Sequence, residues 1–221
     1  MSVESIGLVL DRCQAVIFDL DGVLADTEPL KFAAYQQVFR QVYGVELPES
    51  DVGWRGMKEQ SVIEYWFDKF QLTGEVKPLV RAKREAYQTL LHQGSIPAVP
   101  GSVEFVRHLD TTAKRFGLAT SSSRREATTV LDGLNLSSSF KVMTTRDEVQ
   151  QLKPDPEVYL KTASALNVPP EDCMVFEDSQ SGVKAAKAAG MFCIGLTTSF
   201  SIEALSQADR TIANFTELLN F

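Results

Sequence analysis

Asp19 and Asp21 stand two residues apart; Thr120-Ser121-Ser122-Ser123 is a run of hydroxyls; Lys153 precedes Pro154-Asp155-Pro156; Glu177 and Asp178 are adjacent. Four carboxylates brought to one place repel one another by several kcal/mol in aggregate unless a cation offsets them, and hard oxygen donors of this kind suit Mg²⁺. Mg²⁺ keeps some of its waters and takes phosphate oxygens as ligands. The other groups present, a hydroxyl, backbone N–H groups at a helix start and an ammonium, are those that hold phosphate. An aspartate carboxylate is a nucleophile toward phosphorus, and a carboxyl two residues later can reach the leaving oxygen as a general acid. Asp19 and Asp21 fit those two roles.

Each of these groups follows an element able to position it. The short apolar run Ala15-Val16-Ile17-Phe18 ends at Asp19 and reads as a buried parallel strand. Strands fit Phe116–Thr120, Lys141–Thr144, Met174–Glu177 and Phe192–Leu196, alternating with helices at Ser102–Thr111, Arg124–Leu134, Pro156–Leu166 and Ser181–Ala189. Such alternation predicts a doubly wound parallel sheet, whose ligands bind beyond the carboxyl ends of the strands. Between Pro29 and Pro97 only helical spacing is visible, over Pro29–Tyr43, Ser61–Phe70 and Lys77–His92. The simplest topology is therefore an α/β core, residues 1–28 and 98–221, with an inserted all-helical domain, 29–97.

With 221 residues, 44% hydrophobic and 23% charged, the chain has the composition of a globular protein with its own core, which excludes intrinsic disorder. The net charge of −7 argues against nucleic-acid binding. Residues 29–97 carry 9 basic and 8 acidic side chains, so the acidic excess belongs to the core. No apolar run is long enough to span a bilayer, and no secretory leader pattern opens the sequence, so no membrane partner and a cytoplasmic location are expected. Cys13, Cys173 and Cys193 are odd in number and far apart, and read as reduced core residues.

Taken together, the four motifs resemble those of the haloacid dehalogenase superfamily of phosphotransferases. The first, an apolar strand and DxDG, is Ile17-Phe18-Asp19-Leu20-Asp21-Gly22; the second, a strand ending in Ser or Thr, is Leu118-Ala119-Thr120; the third is Lys153-Pro154-Asp155-Pro156; the fourth is Glu177-Asp178. Glu177-Asp178-Ser179-Gln180-Ser181-Gly182 and the helical insertion look like the beta-phosphoglucomutase and phosphoglycolate phosphatase branch. The resemblance implies a Rossmann-like core with a mobile four-helix cap that sets specificity. It also implies that Asp19 becomes an aspartyl phosphate while Asp21 protonates the leaving alcohol and then activates water. Mg²⁺ would be held by Asp19, the main-chain carbonyl of Asp21, Asp178, and Glu177 directly or through water; Thr120, Ser121 and Lys153 would hold the phosphoryl group. Dehalogenases lack an acid at the Asp21 position, so dehalogenation is not expected.

In the helical insertion, Lys31, Arg55, Lys58 and Lys83 are candidates to meet an anionic substrate, and read equally well as solvated helix charges. Trp54 and Met57 are either specificity contacts or cap core. Lys31 stands where the resembling mutases have a histidine, and Glu59 where they have a phosphate-gripping arginine, and both departures argue against a phosphomutase. Ser122 and Ser123 read as caps of the helix entering at Arg124, and Ser179 as a cap of the next. His92 and His108 are assigned no catalysis. The expectation is a Mg²⁺-dependent phosphatase of a small phosphorylated metabolite, a sugar phosphate or phosphoglycolate, acting as a monomer or weak homo-oligomer. A phosphomutase and a phosphoacceptor signalling or binding module are the alternatives. A dinucleotide binder is disfavoured, since no G-x-G-x-x-G follows the first strand.

Overall fold

The computed structural model describes residues 6–219. Contacts divide the chain into two units, one being Thr27–Ser95 and the other the chain on either side of it.

The flanking unit is built on β1 (Ala15–Phe18), β2 (Arg115–Ala119), β3 (Met143–Thr144), β4 (Cys173–Glu177), β5 (Phe192–Leu196) and β6 (Arg210–Ile212), which form one sheet in the order β3-β2-β1-β4-β5-β6. Every pairing is parallel. The helices are α1 (Ile6–Arg12), and, after the second unit's α2 (Glu28–Tyr43), α3 (Glu59–Phe70) and α4 (Val76–Gln93), α5 (Ser102–Asp110), α6 (Arg124–Gly133), α7 (Glu157–Leu166) and α8 (Gln180–Ala188). All residues of β1 and β4 are buried, as a parallel strand covered on both faces requires. The strand order reverses between β1 and β4, and at that switch point the sheet leaves a crevice beyond its carboxyl ends.

Side chains alternate across the sheet, so β1 feeds two cores. Ala15 and Ile17 join a layer with Val158, Tyr159 and Ala163 of α7 and Val183 and Ala186 of α8. On the other face Phe18 stacks on Phe176 at 5.4 Å and meets Phe105, Phe116, Phe140 and Phe215 at 6.0–6.4 Å. The ring at the last position of β1 thus fixes the strand end from which Asp19 projects.

The strands and helices read from the sequence are present, with ends shifted by a residue or two. The sequence reading did not include α1 or β6; β6 has only three residues and lies at the sheet edge. In the second unit α4 packs on both α2 and α3, around buried Tyr35, Phe39, Ile63, Trp66 and Tyr87. The four-helix cap implied by resemblance is a three-helix unit here. The stretch before Glu59 is a series of turns, because Pro48, Gly53 and a left-handed Gly56 interrupt it and the Asp51 carboxylate accepts from the Gly53 N–H at 2.9 Å. Among the described residues, no helix is long and apolar enough to cross a membrane.

Phe18→Ala should cost about 3–5 kcal/mol of stability through the cavity left among the five surrounding rings. Urea unfolding checks this, with the midpoint expected to fall.

Candidate active site

The β1 strand delivers Asp19 to the crevice, where its N–H donates to the Phe176 carbonyl at 3.0 Å. The chain then turns sharply. Leu20, Val23 and Leu24 are fully buried beneath the turn, and Gly22 N–H closes it on the Ala25 carbonyl at 2.7 Å. With the apolar residues taken inward, Asp19 and Asp21 face the crevice. Gly22 has φ +76°, and a Cβ there would overlap the Asp178 carboxylate. Glycine at this position therefore lets the two acidic motifs approach. Gly182 plays the same part for Glu177, whose carboxylate occupies the space a side chain would fill.

One carboxylate oxygen from each of Asp19, Glu177 and Asp178 lies within 4.8 Å of the other two, and all three residues are buried. Lys153, 5% exposed, sits among them and donates to Asp19 Oδ1 at 2.9 Å, Glu177 Oε1 at 2.7 Å and the Ala119 carbonyl at 3.1 Å. Burial alone would lower the lysine's pKa, but the Asp19 and Glu177 charges outweigh it and hold the ammonium above its ordinary value. Burial pushes the Asp19 carboxyl up to about 7; Lys153 opposes this, and Glu177 and Asp21 add to it. A divalent cation against these oxygens would favour ionised Asp19, and an all-oxygen donor set suits Mg²⁺. The residues present fit that ion.

The remaining motif residues are gathered around this cluster. Thr120 is buried, and its Oγ1 accepts from the Ser122 N–H at 3.0 Å; Ser121 is exposed. Ser123 caps α6 in a reciprocal box with Glu126. Ser122 does not cap the helix. Its hydroxyl donates to Asp21 Oδ2 at 2.7 Å, because the turn at the end of β2 points it toward β1 rather than along α6. Ser179 caps α8 by accepting from Gly182 N–H at 3.0 Å. The Tyr159 hydroxyl, fully buried on α7, donates to Glu177 Oε1 at 3.0 Å, and burial, followed by the Glu177 and Asp19 charges, raises its pKa well above normal.

Beyond β5, Thr198 Oγ1 donates to the Gly22 carbonyl at 2.5 Å and Ser199 Oγ to Asp178 Oδ2. Sequence reasoning passed over Tyr159, Thr198 and Ser199. The signal for the last two was their place after a strand ending at the same sheet edge; Tyr159 looked like one more apolar-face residue of a helix.

Within the Thr27–Ser95 unit, Lys31 pairs with Glu28 at 3.2 Å. Lys83 is not a solvated charge. It is 4% exposed, pairs with Glu59 at 3.1 Å and lies 4.9 and 5.0 Å from the Tyr35 and Tyr87 ring centres. Arg84 holds the other Glu59 oxygen at 2.6 Å. Trp54 is buried against Phe32, and Arg55 lines a cavity of about 370 Å³ beside it. Lys58 and Met57 are exposed. His92 and His108 are exposed on α4 and α5, and the three cysteines are buried and free.

A family model described as haloacid dehalogenase-like hydrolase matches residues 16–196. The chain is 35% identical to validoxylamine A 7'-phosphate phosphatase of Streptomyces hygroscopicus subsp. limoneus, covering 93% of this chain and 95% of that one. It is 40% identical to phosphorylated carbohydrates phosphatase of Thermotoga maritima, covering 80% and 82%. Among solved structures, CbbY from Rhodobacter sphaeroides in complex with phosphate superposes with a TM-score of 0.77 at 28% identity, over 94% and 96% of the two chains.

Lys153→Met leaves Asp19 and Glu177 buried without that counter-charge, and should lower stability by about 3–5 kcal/mol at pH 8. The Asp19 pKa, already raised in the folded state, rises further, so its folded form binds more protons than its unfolded form and the deficit shrinks as pH falls toward 5. Melts of both proteins at pH 8 and pH 5 check this; an equal deficit at both would contradict it.

Proposed function

The chain belongs to the haloacid dehalogenase-like hydrolases and is a phosphoric monoester hydrolase, and from that premise we propose that it removes phosphate from a small phosphorylated carbohydrate through an aspartyl phosphate on Asp19. One observation carries this reading: the Asp19 carboxylate stands at the end of β1 with Lys153 on one oxygen and two further carboxylates within 4.8 Å. Relatives named for phosphorylated carbohydrates and for validoxylamine A 7'-phosphate support the substrate class. Phosphoglycolate is the other small phosphomonoester in keeping with the site.

In the first step an Asp19 oxygen attacks phosphorus as the phosphorus–oxygen bond to the alcohol breaks, and Asp21 gives its proton to the departing oxygen. In the second, Asp21 takes a proton from water as that water attacks phosphorus, inorganic phosphate leaves, and Asp19 is regenerated. Thr120 Oγ and Lys153 Nζ orient the phosphoryl oxygens and offset the charge that grows on them. Ser122 keeps the Asp21 carboxyl beside the reacting atoms. Asp19, Asp178 and the Asp21 carbonyl would hold Mg²⁺, with Glu177 in the same cluster. When bound, Mg²⁺ supplies charge neutralisation and alignment of the phosphoryl group for in-line attack.

The inserted residues 29–97 are proposed to select the substrate, with Lys31, Arg55 and Lys58 as the candidate anion contacts; Lys83, buried on Glu59, is instead part of the packing of this unit. Hydrolysis is favoured over phosphoryl shuttling by Glu59. Its carboxylate holds Lys83 and Arg84 in ion pairs, so an acid with engaged cations stands where a mutase has an arginine to grip a second phosphate. We place the reaction in the cytoplasm, in keeping with three free thiols.

Asp19→Asn should abolish phosphate release while leaving the fold intact, and Asp21→Asn should lose about 10²–10⁴-fold in rate. A loss under tenfold in Asp21→Asn would remove it from the acid–base role. Chelation should stop turnover, Mg²⁺ restore it, and Ca²⁺ inhibit, since its larger and looser shell disturbs in-line alignment. Incubation with glucose 1-phosphates and a trace of the bisphosphate, followed by phosphorus NMR, should yield free phosphate faster than any isomer; predominant glucose 6-phosphate would establish the mutase instead.

A further inference from the structure

Glu177 is fully buried, and its carboxylate offers about four acceptor positions. All four are met by protein donors. Oε1 accepts from Lys153 Nζ at 2.7 Å and from the Tyr159 hydroxyl at 3.0 Å. Oε2 accepts from the Ser179 N–H at 2.8 Å and the Ser179 hydroxyl at 2.9 Å. Lys153 has three N–H donors, and these go to Asp19, Glu177 and the Ala119 carbonyl. The Tyr159 ring centre lies 4.8 Å from the same ammonium. Tyr159 thus touches the lysine twice, through its ring face and through the carboxylate that the lysine holds.

From this arrangement we infer that Tyr159 is a positioning residue for the reaction: its hydroxyl fixes the Glu177 carboxylate, which in turn holds the Lys153 ammonium against Asp19, where its charge stands beside the phosphoryl group, so that Glu177 serves the lysine and not the metal's inner shell. A phenylalanine here would fill the same space in the α7 layer and support the ammonium with its ring. It would leave Oε1 with the lysine alone, free to turn, and the ammonium would follow it. A residue required only for packing would need no hydroxyl. The hydroxyl of Tyr159 instead satisfies one side of a buried carboxylate whose other side Ser179 already holds.

The inference rests on the phosphatase reading, and its test separates the two. Tyr159→Phe is compared with Val158→Ala, a neighbouring buried apolar position on α7 in the same hydrophobic layer. Hydrolysis of p-nitrophenyl phosphate is measured with saturating Mg²⁺. Binding of orthovanadate, which adopts the five-coordinate geometry of phosphoryl transfer, is measured by calorimetry in Mg²⁺, and Mg²⁺ binding to the metal-free protein likewise. For Tyr159→Phe the expected result is a kcat about 10–100-fold lower, vanadate affinity weakened by a similar factor, and KM and Mg²⁺ affinity within about twofold of the parent. For Val158→Ala the melting temperature should fall while kcat and vanadate affinity stay at parental values. Parental kcat and vanadate affinity in Tyr159→Phe would overturn the inference, as would a defect that tracks weakened Mg²⁺ binding. Absence of phosphate release by the parent would instead overturn the function, leaving the vanadate comparison to judge Tyr159.

Discussion

Burying an ammonium costs several kcal/mol, and so does burying each carboxylate beside it. Lys153 is 5% exposed, and its partners Asp19 and Glu177 are 11% and 0% exposed. Their attraction offsets the desolvation only if every donor and acceptor is matched, and here each lysine proton has an acceptor. That requirement ties distant parts of the chain together: β1 must end at Asp19, β2 must offer the Ala119 carbonyl, β4 must end at Glu177, and the segment before α7 must return a lysine to the crevice. The sheet order places β1 between β2 and β4, so the three strand ends meet the lysine side by side.

The same constraint prepares the site for chemistry. A carboxylate held by one lysine proton on Oδ1 keeps its other oxygen for phosphorus or a cation, and it is buried, where electrostatic effects are strong. Burial raises the Asp19 pKa, so its ionised form depends on positive charge nearby, first the lysine and then the metal the cluster suits. Two close approaches make the cluster compact: Gly22 against Asp178 and Gly182 against Glu177, both without a Cβ. Packing far from the chemistry serves it too, because the Phe18 ring anchors the strand end.

Much of this was legible in the sequence because the site is made of strand ends. Apolar runs such as Ala15–Phe18 and Phe192–Leu196 are short enough to read as buried strands, and in a parallel sheet the residues directly after each run lie at the same edge. β6 was not legible, since Arg-Thr-Ile is too short to show a period. Ser122 and Ser123 are both good cap residues, and only the direction of the chain leaving β2 decides that Ser123 caps while Ser122 meets Asp21. Charges in the inserted segment were ambiguous for a related reason. Lys83 and Glu59 belong to different helices, and helical spacing within one segment says nothing of a pairing across two. Tyr159 was hidden by its own amphipathic character, an apolar ring at a core position with a hydroxyl whose partner lies on another strand.

The central claim is that Asp19 itself carries the phosphoryl group during turnover. Mixing the enzyme with a phosphorus-32-labelled phosphomonoester, quenching in acid within one turnover and mapping the labelled peptide tests this directly. The account predicts label on the peptide containing Asp19, released by hydroxylamine as an acyl phosphate is. Turnover without protein-bound phosphate, or label on any other residue, would contradict it.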